Sequence, residues 1–175
     1  MIKLYISIFI SIFISILFIS CTQKEEEKLS NPLVLKDGLL YSDTLSTIPF
    51  TGRNKSRMLD MKIEYDVVEG KKAGDFIIYY SNDKIQIAGK MKNNKNVGEW
   101  KYYFLDGSIQ TTGFYDNDIP TGHWMWYNPD GKVIEEGEYI YGKREGEWKN
   151  YDSLGLIEIV RLYKENNLID STRVK

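Results

Sequence analysis

A repeat at an interval of 24 residues constrains this chain more than any other feature. Gly74, Gly98, Gly122 and Gly146 are evenly spaced, and two positions after each comes Phe76, Trp100, Trp124 or Trp148. Tyr79, Tyr103, Tyr127 and Tyr151 form a third column, and Ile85, Ile109, Val133 and Ile157 a fourth. Gly89, Gly113 and Gly137 make a fifth, which Arg161 breaks; Met91, Tyr115, Tyr139 and Tyr163 make a sixth. A fixed period of this length is the mark of a repeat architecture, in which each unit buries its apolar surface against its neighbours.

Each unit reads as a β-hairpin. The segment 99–104 is aromatic-rich, as strands are, and Ile109, Thr111, Gly113 and Tyr115 alternate with other residues at the strand period of two. Asp106-Gly107 and Asp130-Gly131 fall between the two strand-like runs, with Asn82-Asp83 at the same place one unit earlier. Asp-Gly there predicts a two-residue type I′ turn with positive φ at both central positions. A second turn column, Gly70, Asn94, Asp118, Gly142 and Asn166, joins one unit to the next through residues that tolerate left-handed backbone. No stretch beyond residue 32 holds a period of 3.6, so the expected fold is all-β: an elongated single-layer antiparallel sheet of tandem hairpins. Residues 33–73 read as an amino-terminal cap and a degenerate repeat, 74–169 as four full repeats, and 170–175 as a carboxy-terminal tail.

The column of Gly89, Gly113 and Gly137 lets large rings lie against the backbone, since glycine within a strand marks a close approach. Phe76, Trp100, Trp124 and Trp148 then form a structural ladder. In a regular strand, Trp100 and Tyr103 lie three positions apart and face opposite sides. The tyrosine column is therefore the candidate binding surface: Tyr79, Tyr103, Tyr127 and Tyr151, together with Met125 and Trp126, because three successive large residues must place some on the outer face.

Residues 1–21 carry a different signal. Lys3 precedes an apolar run from Leu4 to Ile19, and Ser20 then meets Cys21, the chain's one cysteine. A basic start, an apolar stretch and a small residue at its end make an export leader. With the cysteine at the junction, it resembles a bacterial lipoprotein signal, which implies a signal peptide over 1–20 and acylation of Cys21. An uncleaved anchor or a secreted chain with a free thiol are the alternatives. Residues 21–32 are polar and charged and read as a disordered tether. The expected location is the cell envelope, lipid-anchored at the outer membrane, with the membrane a partner through that anchor; the facing side is open.

The repeat itself resembles the MORN-type repeat in its bacterial variant form. The resemblance rests on Gly-x-Trp-x-x-Tyr, Asp-Gly and Gly-x-Tyr recurring through 74–169 and on the lead-in around Gly38–Tyr41 and Pro49–Gly52. It implies a non-enzymatic interaction module, most readily for a protein partner. Family members are often labelled toxin–antitoxin antitoxin components, so an antitoxin or immunity role is the alternative, and glycan or lipid-headgroup binding a third.

Composition narrows the classes further. Net charge is −2, which argues against an electrostatic nucleic-acid binder. One histidine, His123, and one cysteine make a poor basis for a metal site. Glu136 and Glu138 share a strand face whereas Glu135 does not, but nothing surrounds them with a cleft. No catalytic residue, metal or cofactor is expected.

Overall fold

The computed structural model describes residues 32–58 and 61–174. The leader, Cys21 and the tether up to Asn31 lie outside the described residues. A small hairpin, β1 (Val34–Lys36) and β2 (Leu39–Tyr41), precedes one eleven-stranded antiparallel sheet in which neighbours in sequence are neighbours in space. Its strands are β3 (Gly52–Met58), β4 (Met61–Val68), β5 (Lys71–Tyr79), β6 (Ile85–Lys92), β7 (Lys95–Tyr103) and β8 (Ile109–Asp116). They continue as β9 (Ile119–Tyr127), β10 (Val133–Ile140), β11 (Lys143–Tyr151), β12 (Ile157–Lys164) and β13 (Asn167–Arg173). The sheet is open, its order running β3 to β13 without closure, and no helix occurs among the described residues.

The two turn columns differ from each other, and one differs from expectation. At the unit junctions Asn93-Asn94, Asn117-Asp118, Tyr141-Gly142 and Glu165-Asn166 all have positive φ at both positions. They close two-residue loops, as the pairing of Lys92 with Lys95 shows; these are the type I′ turns. The Asp-Gly column is a three-residue loop instead. Phe104 and Ser108 close it, Gly107 donates to the Phe104 carbonyl at 2.9 Å, and only Gly107 has positive φ. This is a type I turn followed by one left-handed residue, the usual geometry for three-residue hairpin loops. Asp106 works through its side chain, accepting the Ser108 N–H at 2.8 Å.

The degenerate unit loses its two residues here. Gly52 pairs with Val67, 15 positions on, with no register shift, whereas Gly98 and Tyr115 are 17 apart with one. The loop between β3 and β4 is shorter, and the residues of the columns are not kept in this unit: Asn54 stands in the ring column, Arg57 in the tyrosine column and Tyr65 in the glycine column.

The two glycine columns answer to different physics. At Gly98 φ is +67° and an added Cβ would meet nothing within 4 Å, so the backbone conformation demands glycine there. At Gly113 φ is unremarkable, but a Cβ would lie 2.1 Å from the Trp124 ring. Gly89 lies under Trp100 and Gly137 under Trp148 in the same way. Each ring thus covers the glycine of the preceding unit, which explains where the column breaks. Tyr65 occupies the glycine slot before Phe76, and the smaller phenyl leaves room for the pair to stack at 6.2 Å. Arg161 occupies the last slot because the position one period beyond Trp148 is Thr172, which has no ring to lay on it.

The rings form one continuous stack: Tyr65, Phe76, Trp100, Tyr115, Trp124, Tyr139, Trp148 and Tyr163, with successive centroids 5.0 to 6.2 Å apart. Most contacts are edge-to-face, the arrangement that aromatic quadrupoles favour, each worth about 0.5–1.5 kcal/mol beyond burial. The guanidinium of Arg144 sits 4.1 Å over the Trp148 ring, and Lys72, at the same column three periods earlier, 5.4 Å over Phe76. Burial mostly follows this face: Trp148 and Asn54 are fully buried, and Val67, Trp100, Trp124 and Thr111 nearly so, while Glu64 is buried on the opposite one. A single sheet thereby acquires a core without a second layer.

The chain end departs from the expected tail. Residues through Arg173 belong to β13, paired with β12 from Asn167 opposite Lys164 to Arg173 opposite Ile159. The polar composition of 170–173 reads as loop, but β12 offers a complete ladder edge, and backbone pairing there does not require apolar side chains.

Candidate interaction surface

The tyrosine column lies on the face opposite the ladder, as strand alternation requires. Three of its members are held by specific contacts. Lys62 lies 4.2 Å over the Tyr79 ring, the Tyr127 hydroxyl approaches Met125 Sδ at 3.3 Å, and the Tyr151 hydroxyl donates to Glu136. Tyr103 is half-buried, and its carbonyl accepts the Tyr80 hydroxyl at 2.6 Å.

Trp126 differs from this group. It is two positions from Trp124 and stacks on it at 5.8 Å, and lies 5.7 Å from Trp148 on the other side. Its ring belongs to the ladder face, while Met125 and Tyr127 flank it on the opposite face. It is nonetheless only half-buried, because it stands where β9 runs into its loop.

At that edge Trp126 and Tyr127 together line an open hollow of about 490 Å³ with Phe104, Gln110, Asn128 and Ile134. The last four escape a repeat-based reading, since none sits in one of the six columns; the signal for them is only their proximity to loop ends. Asn128 Oδ1 accepts the Lys132 N–H at 2.9 Å, so the amide is oriented by the loop. A second hollow, about 670 Å³, lies beside the amino-terminal hairpin between Leu39, Pro49, Val68 and Ala73.

Electrostatically the outer face is mixed. His123 Nε2 lies 3.0 Å from Glu136 and Nδ1 3.5 Å from Glu138, with the imidazole about half exposed. Burial pushes the Glu136 carboxyl up, but the hydrogen bonds from Tyr151 and His123 outweigh it and leave it below its ordinary value. The Tyr151 phenol is pushed up to about 12 by burial and by the adjacent carboxylate. A carboxylate that is held ionised and already doubly hydrogen-bonded lacks the raised affinity for protons that a general acid needs. At the first unit, Glu64 shows the same balance: burial raises it, and Arg53 at 3.0 Å and Lys62 at 3.2 Å overcome that. Among the described residues no group of three or more potential ligands could hold a metal ion.

The family described as MORN repeat variant matches at residues 96–117 and 120–141. Residues 96–141 carry a MORN repeat variant. The matched segments span β7 to β10, the hairpins that hold Trp100, Trp124 and the Trp126 hollow. MORN repeats are commonly protein or membrane interaction modules, and the family is generally non-enzymatic. No curated protein matches the chain.

Proposed function

We propose that this chain is a non-enzymatic envelope lipoprotein whose MORN-type sheet binds a protein partner. The observation that carries the reading is the hollow at the β8–β10 loop edge. There Phe104, Trp126, Tyr127 and Ile134 surround space for an apolar side chain, beside the amides of Gln110 and Asn128. Half-buried aromatics around a small cavity, rimmed by polar groups, are the usual anchor of a protein interface. The ladder behind Trp126 fixes its ring, so the site is ordered before a partner arrives, which lowers the entropy cost of binding. Acylation of Cys21 would hold the module at a membrane, where a lipid anchor with two or more chains is stable.

The test is affinity capture from envelope fractions with the native chain and with Tyr127→Ala and Ile134→Asp. A protein recovered by the native chain and lost with both variants supports the reading. Retention on a glycan or lipid array with no protein recovered would replace it, and a toxin as the captured protein would make the chain an immunity protein. Mass spectrometry of the mature amino terminus tests the anchor: an unmodified Cys21 would refute it.

A further inference from the structure

The cap end of the outer face carries two features absent from the later units. One is the hollow of about 670 Å³ beside the amino-terminal hairpin, where Leu39, Ile48, Pro49, Val68 and Ala73 meet Lys71 and Asn93. Its apolar lining stands open to water: Ile48 is 80% exposed and Val68 51%. A cluster of exposed apolar side chains marks an interaction site.

The other feature is charge. Lys92 pairs with Lys95 across the turn that holds Asn93 and Asn94, so two exposed ammonium groups share one cross-strand pair, an unfavourable arrangement in a sheet. Lys71 lines the hollow, as does Asn93 beside Lys92, and Lys90 shares the face of Lys92. Among the described residues none of Lys71, Lys90, Lys92 and Lys95 has an ion pair; the acidic neighbours are Glu69 in the hollow and Asp75 opposite Lys90. Later units do not keep the doubled lysine. Its slots hold Asp116 and Ile119, then Ile140 and Lys143, and Lys143 is held by Glu165 at 3.6 Å. On the outer face of β10 and β11, Glu136, Glu138, Glu145 and Glu147 outnumber Lys143 and Lys149.

We infer that the cap end docks on an anionic membrane surface, with Ile48, Pro49 and Val68 entering the headgroup layer and Lys71, Lys92 and Lys95 meeting lipid phosphate. Exposed apolar groups beside lysines suit such a surface, because the first gain by leaving water and the second by the negative surface potential. The same potential repels the acidic half of the sheet, which turns the cap end toward the lipid. The choice of a bilayer over an acidic protein rests on the acylated Cys21 proposed above. Positions 21 and 32 can be separated by at most about 40 Å even in a fully extended chain, so anchoring keeps the cap close to the lipid. None of the docking residues lies within the matched repeats at 96–141.

The test uses the full chain with Cys21→Ser, so that one introduced cysteine can carry an environment-sensitive fluorophore. Ile48→Cys places it at the hollow, and Leu154→Cys at an exposed loop of the fourth repeat. On vesicles of phosphatidylglycerol and phosphatidylcholine, emission from position 48 should move to shorter wavelength while that from position 154 stays unchanged. Lys71→Gln, Lys92→Gln and Lys95→Gln together should abolish the move and keep the urea midpoint, since all three side chains are exposed and a like-charge pair is relieved. The inference is overturned if position 48 stays in water on these vesicles, moves equally on phosphatidylcholine alone, or moves equally in the triple variant. An acidic protein captured by the native chain and lost with the triple variant, with no vesicle response, makes that protein the occupant and overturns it too. Acylation of Cys21 is read separately by mass spectrometry, so a failed anchor and a failed docking are told apart.

Discussion

Replacing Gly113 with alanine adds one methyl group, and the structure says it should be among the most damaging small changes in this chain. The new Cβ would lie 2.1, 2.2 and 2.5 Å from three atoms of the Trp124 ring, distances that non-bonded carbons do not reach. The indole has little room to yield. Tyr115 holds it at 5.2 Å, Tyr139 at 5.7 Å and Trp126 at 5.8 Å. If the ring is displaced from its buried site, the loss approaches that of truncating a core tryptophan, about 3–5 kcal/mol. Gly98→Ala is the control, because there the cost is only that of left-handed backbone, about 1–2 kcal/mol. Folded domains have about 5–15 kcal/mol in total, so urea denaturation at 25 °C, followed by tryptophan fluorescence, separates the two readily. The chain's first unit also supplies a rescue, since Tyr65 is accommodated there under Phe76. Gly113→Ala combined with Trp124→Phe should therefore be less destabilised than the two single changes summed, by about 1–2 kcal/mol of coupling. A Gly113→Ala cost no larger than that of Gly98→Ala, or strict additivity in the pair, would refute the ring-on-glycine account.

Three further predictions follow from the contacts. Asn94→Ala should lose about 2–3 kcal/mol in the same assay, from φ of +66° and from the 2.7 Å bond that Asn94 Oδ1 accepts from the Lys72 N–H, while Asn94→Gly should lose about 1 kcal/mol or less. Arg144→Ala should cost about 0.5–2 kcal/mol through its contact with Trp148, seen as a lower urea midpoint. Glu64 has a folded pKa below its ordinary 4.5, so its contribution is full above that value and is lost as pH falls through the lowered one. Denaturation midpoints measured downward from pH 5 should accordingly fall less steeply in Glu64→Gln than in the native chain.

The 24-residue interval was enough to specify hairpins, their antiparallel order and the face that carries the ladder, because strand alternation and a fixed period leave one consistent arrangement. It also marked Gly89, Gly113 and Gly137 as places of close approach. Turn geometry was less accessible. Asp-Gly favours a type I′ turn taken alone, but loop length decides, and length depends on which residues pair across the loop. Trp126 shares the strand face of Trp124, two positions away, and its ring contacts with Trp124 and Trp148 depend on how the neighbouring strands align. Phe104, Gln110, Asn128 and Ile134 carry no column of their own, and they meet only because β7 and β9 end where β8 and β10 begin.

Amino-acid order alone thus determined the repeating sheet, since each ring and each glycine lies within one period of the residue that needs it. What the tertiary structure decided are the non-repeating features: the hollow at the loop edge and the strand at the chain's end. Both depend on where neighbouring backbones stop, and no single unit contains that information.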